Sequence, residues 1–243
     1  MSWRSRVNPL HPLWSALGLA TLVGLLGALA AQVPGQVPRV AHGIFHIRVE
    51  GKEIGREEFE IERRATEIHA RGRLTLRAGG RKVEETTALT LSTRHEPLRY
   101  EWKRTQPAGQ FLRVQFQDNK AALEFSSSGT DVERREFIFE TAQVVILDNN
   151  FFHHYLFLLR HYDFSRGGVQ SIRILIPQEA LPGIVTLEDQ GLESVNAGET
   201  THTLRRVRVT TEDKEIWLWV DEQGKLVRLT VPEAKVEVVR TPS

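Results

Sequence analysis

The residues best suited to chemistry stand together at Asp148, Asn149, Asn150, His153 and His154. Histidine serves as ligand, acid–base group or pH-sensitive contact. A helical metal pair needs two ligands at i and i+4, as in H-E-x-x-H. That spacing pairs Asn149 with His153 and Asn150 with His154, and Asn is a poor zinc ligand. His154 and His161 would share a helical face but stand about 10 Å apart, at a rise of about 1.5 Å per residue. No metal site is therefore expected. Asp148, Asn150, His153 and His154 are expected to cap a helix and make polar contacts. Two functional alternatives are contact with a ligand and a hydrolase working through the His153–His154 region.

A second set lies in the last third. Hairpin register places Trp219 between Arg206 and Arg228, and Trp217 beside Arg208. A guanidinium over an exposed indole gains about 0.5–1 kcal/mol. Such a face could hold a lipid phosphate or an acidic glycan; the plainer reading is a solvated ladder in which Arg stems cover Trp rings. Arg206, Trp217, Trp219 and Arg228 are thus ligand-contact candidates of the second rank. Nucleophilic catalysis finds little support. Ser126-Ser127-Ser128-Gly129 is a polar loop, not a G-x-S-x-G elbow. No P-loop or dinucleotide-binding glycine fingerprint occurs. The carboxylates from Glu57 to Glu62 read as a solvated strand face. No catalytic residue and no cofactor is assigned.

The elements that must position these residues are strands. From Gly43 onward the apolar period is two. Phe45, Ile47 and Val49 alternate with His46, Arg48 and Glu50; Phe59 and Ile61 alternate with Glu58, Glu60 and Glu62. Gly79-Gly80 suits a two-residue turn, since both positions accept positive φ. That turn pairs Leu76 with Val83, Leu74 with Glu85 and Gly72 with Thr87. An even-length turn at Ala65-Thr66 sets Glu58 opposite Arg73 and Glu60 opposite Arg71. In the last third, two-residue turns bring Val209 to Ile216, Val220 to Val227 and Leu229 to Val238. Apolar residues then meet apolar residues across three hairpins, an agreement that one misplaced residue would destroy. Only Asp148–Tyr162 breaks the pattern. Phe152, Leu156 and Leu159 sit at i, i+4 and i+7, which predicts one amphipathic helix covering the sheet. The expected fold is mainly β: a curved antiparallel meander, half-barrel or open barrel, with one covering helix.

The chain has 243 residues, 40% hydrophobic and 26% charged, with no Cys. This suits a globular domain and excludes disulfides, zinc-thiolate sites and thiol catalysis. The 32 Lys and Arg balance 31 Asp and Glu, so no basic excess points to nucleic acid. Arg4 and Arg6 precede the uncharged run Leu13–Ala31, which ends in the A-x-A pattern Ala28-Leu29-Ala30. This reads as a secretory signal over residues 1–30; the rival is an uncleaved anchor, the one route by which the chain would meet a membrane. Residues 31–42, rich in Pro and Gly, read as a flexible lead-in, and residues 43–243 as a single β-rich domain.

The opening GIFHIRVEGKEIGREEFEI resembles the first hairpin of a bacterial family of exported domains of uncharacterised function. The ending IWLWVDEQGKLVRLTVPEAKVEVVR resembles its closing hairpins. Those proteins are similar in presumed architecture to the half-barrel lipoprotein carriers of the periplasm. The resemblance implies export to the periplasm or cell envelope and a curved sheet with an apolar concave face; it carries over no catalytic residue. The function expected is a non-enzymatic exported domain that binds or shields a lipid or other amphiphile. The alternatives are an envelope scaffold with a protein partner and the hydrolase above.

Overall fold

The structure, a computed structural model, describes residues 39–197 and 200–241. The expected secretory signal and residues 31–38 of the lead-in lie outside the described residues. Alternating side chains produce β1 (Arg39–Val49), β2 (Lys52–Arg63), β3 (Glu67–Ala78), β4 (Arg81–Ser92), β5 (Pro97–Gln106), β6 (Ala108–Gln117), β7 (Lys120–Ser126) and β8 (Glu133–Ile138). After β9 (Val145–Ile146) and the helix α1 (His154–Arg160) follow β10 (Gln170–Ile176), β11 (Leu181–Ala197), β12 (Thr200–Thr210), β13 (Glu215–Val220), β14 (Leu226–Val231) and β15 (Val236–Arg240). All fifteen strands join one open, curved sheet. Its order is β8-β7-β6-β5-β4-β3-β2-β1-β15-β14-β13-β12-β11-β10-β9, so the last strand closes against the first.

Most expected pairings occur. Leu76 faces Val83, Gly72 faces Thr87, Glu58 faces Arg73, and Val209 faces Ile216. Four features differ. Val220 pairs with Leu226, not Val227, across a register shift. The cause is an Asp turn: Asp221 Oδ1 accepts from the N–H of Gln223 and of Lys225, at 2.9 and 2.8 Å. The turn is therefore longer than two residues, and a bulge takes up the difference. The sheet is also mixed, because β9 runs parallel to β10; the chain between them crosses over through α1. The first strand begins at Arg39, inside the expected lead-in, and pairs there with β2. Finally, the helix is shorter than Asp148–Tyr162. Asn150 takes φ 64°, a left-handed conformation that no α-helix runs through, and α1 begins only after His153.

The concave face carries the core. In one row Phe59, Gly72, Thr87, Trp102, Leu112 and Phe125 lie side by side across six strands. The next row is Ile61, Ala70, Leu89, Tyr100, Val114 and Leu123. All of this second row is buried. Each large apolar side chain so buried contributes about 1.5–3 kcal/mol. The segment from Phe151 through α1 packs onto this face with Phe151, Phe157, Leu158 and Leu159 buried. Among the described residues no helix is long and apolar enough to cross a membrane.

Candidate functional site: a buried polar plug and a cationic cleft

The segment 148–154 enters the concave face as a plug, held by two carboxylates. Glu57 belongs to the same parity of β2 as Phe59 and Ile61, so it points into the core and is 0% exposed. This corrects its expected place on a solvated face. Its Oε2 accepts the N–H of Phe152 at 2.7 Å and of His153 at 3.3 Å, and its Oε1 accepts from Nδ1 of His153. Asp148 is the second anchor. It accepts the hydroxyl proton of Tyr100 on β5, the N–H of Gln178 at 3.1 Å and the N–H of Asn149 at 3.1 Å. The plug is thereby tied to β2, to β5 and to the turn after β10.

Space for the plug comes from Gly72. A Cβ there would stand 2.8 Å from Cε1 of His153, 2.9 Å from Oγ1 of Thr87 and 3.0 Å from Cδ1 of Phe151. The His153 ring stacks on Phe59, with centroids 5.8 Å apart, and lies 4.4 Å from the ring of His154. Nδ1 of His154 accepts the N–H of Asp148 at 3.2 Å, which leaves its proton on Nε2. Burial holds the His154 imidazole well below its usual range, and His153 adds to the effect. Burial also raises the Asp148 carboxyl to about 6, against the hydrogen bonds from Tyr100, Gln178 and Asn149. The Tyr100 phenol is raised well above its usual value by burial and by Asp148. Both imidazoles are 0% exposed, so no solute reaches the plug without displacing it.

The sequence candidates separate on this scaffold. Asp148, His153 and His154 come together inside the plug; Asn150 is exposed and serves through its left-handed backbone. None of them caps α1, whose start has no side-chain cap. The Arg–Trp face forms in the expected register. Arg206 lies over Trp217 at 3.9 Å and Arg228 over Trp219 at 4.9 Å. Its charges are answered from within: Glu193 accepts from Arg206 at 3.3 Å and from Nε1 of Trp219 at 3.1 Å, and Glu237 pairs with Arg228 at 2.8 Å. A further buried carboxylate escaped the sequence reading. Glu85, 3% exposed, takes Nε1 of Trp102 at 3.1 Å and Nη2 of Arg104 at 2.7 Å.

The other unexpected feature is a cleft of about 360 Å³ where α1, β1–β3 and the β13–β14 turn meet. Its floor is apolar: Ile61, Ile68, Leu156 and Phe157. Around it stand Arg63, Arg160, Lys225 and Arg240, with His95 beside them and no carboxylate among the described lining residues. Arg63, Arg160 and Lys225 form no ion pair with any described residue. Arg240 lies over the ring of Phe59 at 5.1 Å, donates to the carbonyl of His42, and keeps a buried Nη1 without an acceptor. A larger surface depression of about 660 Å³ runs from Glu53 to Glu84, but its charges pair with one another, as in Arg56–Glu58 and Lys82–Glu84.

Comparison with known proteins extends the fold and nothing finer. No family model and no curated protein matches the chain. Its structure is similar to the crystal structure of a β-barrel-like protein of the domain of unknown function DUF1849 from Brucella abortus. The TM-score is 0.55 at 11% identity, covering 84% of this chain and 95% of that one. At that identity the likeness concerns architecture, and the chain described here is accordingly a mainly β protein with a barrel-like open sheet.

Proposed function

We propose that this chain is a non-enzymatic exported domain that binds one single-chain amphiphile with an anionic head, in the cleft beside α1. The observation that carries this is the lining: among the described residues, an apolar floor surrounded by four permanent cations and no carboxylate. An acyl chain on Ile61, Ile68, Leu156 and Phe157 would leave its head among the guanidinium groups, which suit oxyanions. The volume sits at the low end for small-molecule sites and suits one chain rather than two. The concave interior itself is filled by the plug, so the ligand belongs at the mouth. The basic and then uncharged N-terminal stretch, and the resemblance of both chain ends to exported domains, support a place in the cell envelope. The hydrolase alternative gains no support, since His153 and His154 are closed to solvent.

The test is titration calorimetry with decyl sulfate below its micellar concentration. Saturable one-to-one binding is expected, weakening with salt as screening grows. Decyltrimethylammonium, with the same tail and the opposite head, should bind at least tenfold more weakly, as should inorganic sulfate. Arg63→Glu and Arg160→Glu should each cost about tenfold, or about 1.4 kcal/mol. Equal binding of both head groups, or no binding of either, would overturn the reading.

A further inference from the structure

His95 lines the cleft at the turn between β4 and β5. It holds φ 66°, a conformation costly for most L-residues and most readily taken by Asn, Asp and His among those with a side chain. Every charged group facing it from another element is basic or neutral: Arg63 on β2, Arg160 at the end of α1, and His161 just beyond, its ring edge-on at 6.4 Å. Lys225 and Arg240 complete the cleft, and the nearest acid on that side, Asp221, is held by the N–H groups of Gln223 and Lys225 and acts on Arg240. On its own turn, Glu96 is occupied by Arg94 at 3.0 Å. Among the described residues, then, the acids near the cleft are engaged elsewhere, and an imidazolium at this position meets no carboxylate of its own.

We propose that His95 couples ligand binding in the cleft to pH, becoming imidazolium when an anionic head binds, so that the ligand is taken up together with a proton. This rests on the reading above and adds the linkage between head group and pH. Without ligand, burial and then the charges of His161, Arg160 and Arg63 hold the His95 ring below its usual range. An anion among those cations removes the repulsion and supplies the missing counter-charge. By linkage, whatever raises the proton affinity of His95 on binding must raise ligand affinity as pH falls. Such a site loads in acid and releases near neutrality.

Decyl sulfate is the probe, because its charge is constant across the range. Its affinity should rise about tenfold from pH 7.5 to 5.5. Calorimetry in two buffers of different ionisation enthalpy should show uptake of up to one proton per ligand near pH 6.5. His95→Asn suits the left-handed turn and should flatten the pH dependence to under twofold. His161→Gln, outside the lining but edge-on to His95, removes one repelling neighbour and should still leave a clear rise in affinity with acid, because His95 itself remains. A dependence unchanged in His95→Asn, or no proton uptake by the native chain, would overturn the inference while leaving amphiphile binding intact. Failure of decyl sulfate to bind at any pH would remove the parent reading itself.

Discussion

The plug and the cleft are both rich in polar groups, yet they obey opposite rules. In the plug, Glu57 and Asp148 are enclosed, and each takes three hydrogen bonds from the protein. In the cleft, Arg63 and Arg160 stay exposed and meet no carboxylate of any described residue. Burying a charge costs several kcal/mol, so a fold retains one only with its partners in place. Pairing in the plug is thus what folding alone requires. Like charges gathered around a cleft repel one another and weaken the fold. Arg240 also serves the fold, over Phe59 and on the His42 carbonyl; folding gives no such reason for Arg63, Arg160 and Lys225, whereas an anionic ligand does.

The largest effect should come from the plug. Glu57→Ala leaves the His153 ring and two buried N–H groups without an acceptor. Losing one partner of a buried polar set costs about 3–5 kcal/mol. Urea unfolding should show that loss, and a cost under about 1 kcal/mol would break the contrast by showing the plug to be loosely held.

A pH series sharpens the same contrast. Asp148 titrates near 6 when folded and 3.8 when free, so its contribution is complete below about 4 and lost as pH rises through 6. His154 has the opposite sign: its depressed value gives stability above 6.5 that drains away as pH falls. Between pH 6 and 4 the two oppose each other, at slopes of up to about 1.4 kcal/mol per pH unit. Asp148→Asn removes one side. Its stability should fall more steeply between pH 6 and 4 than the native chain's; parallel curves would show that these groups do not govern acid stability.

The smallest effect belongs to the Arg–Trp ladder. Arg206→Ala should cost about 0.5–1 kcal/mol through the lost contact with Trp217. It should leave decyl sulfate affinity within twofold, since its guanidinium is already answered by Glu193. A tenfold loss of affinity would move the ligand site to that face.

Much of this was legible in advance. Side-chain parity and turn length place Gly72 against Thr87 and Trp219 between Arg206 and Arg228, because each hairpin is a local problem. Parity would also have found Glu57, two residues before Phe59 on the inward side; grouping it with Glu58 to Glu62 by type hid it. The exception at Val220 came from an Asp221 side chain that captures two backbone N–H groups and lengthens its turn. The helix ended short because Asn150 turned left-handed and Asp148 bonded to Tyr100 instead of capping. The cleft left no local signature. Arg63, His95, Arg160, Lys225 and Arg240 come from separate elements, and only closure of β15 on β1 and docking of α1 bring them together.

The central claim is that ligand meets the cleft and not the plug. Backbone and side-chain chemical shifts recorded by NMR during a decyl sulfate titration address it most directly. Saturating changes should concentrate at Ile61, Arg63, His95, Leu156, Arg160 and Lys225, while Glu57, Arg206 and Trp217 stay still. Changes centred on Arg206 and Trp217, or scattered without saturation, would contradict the account.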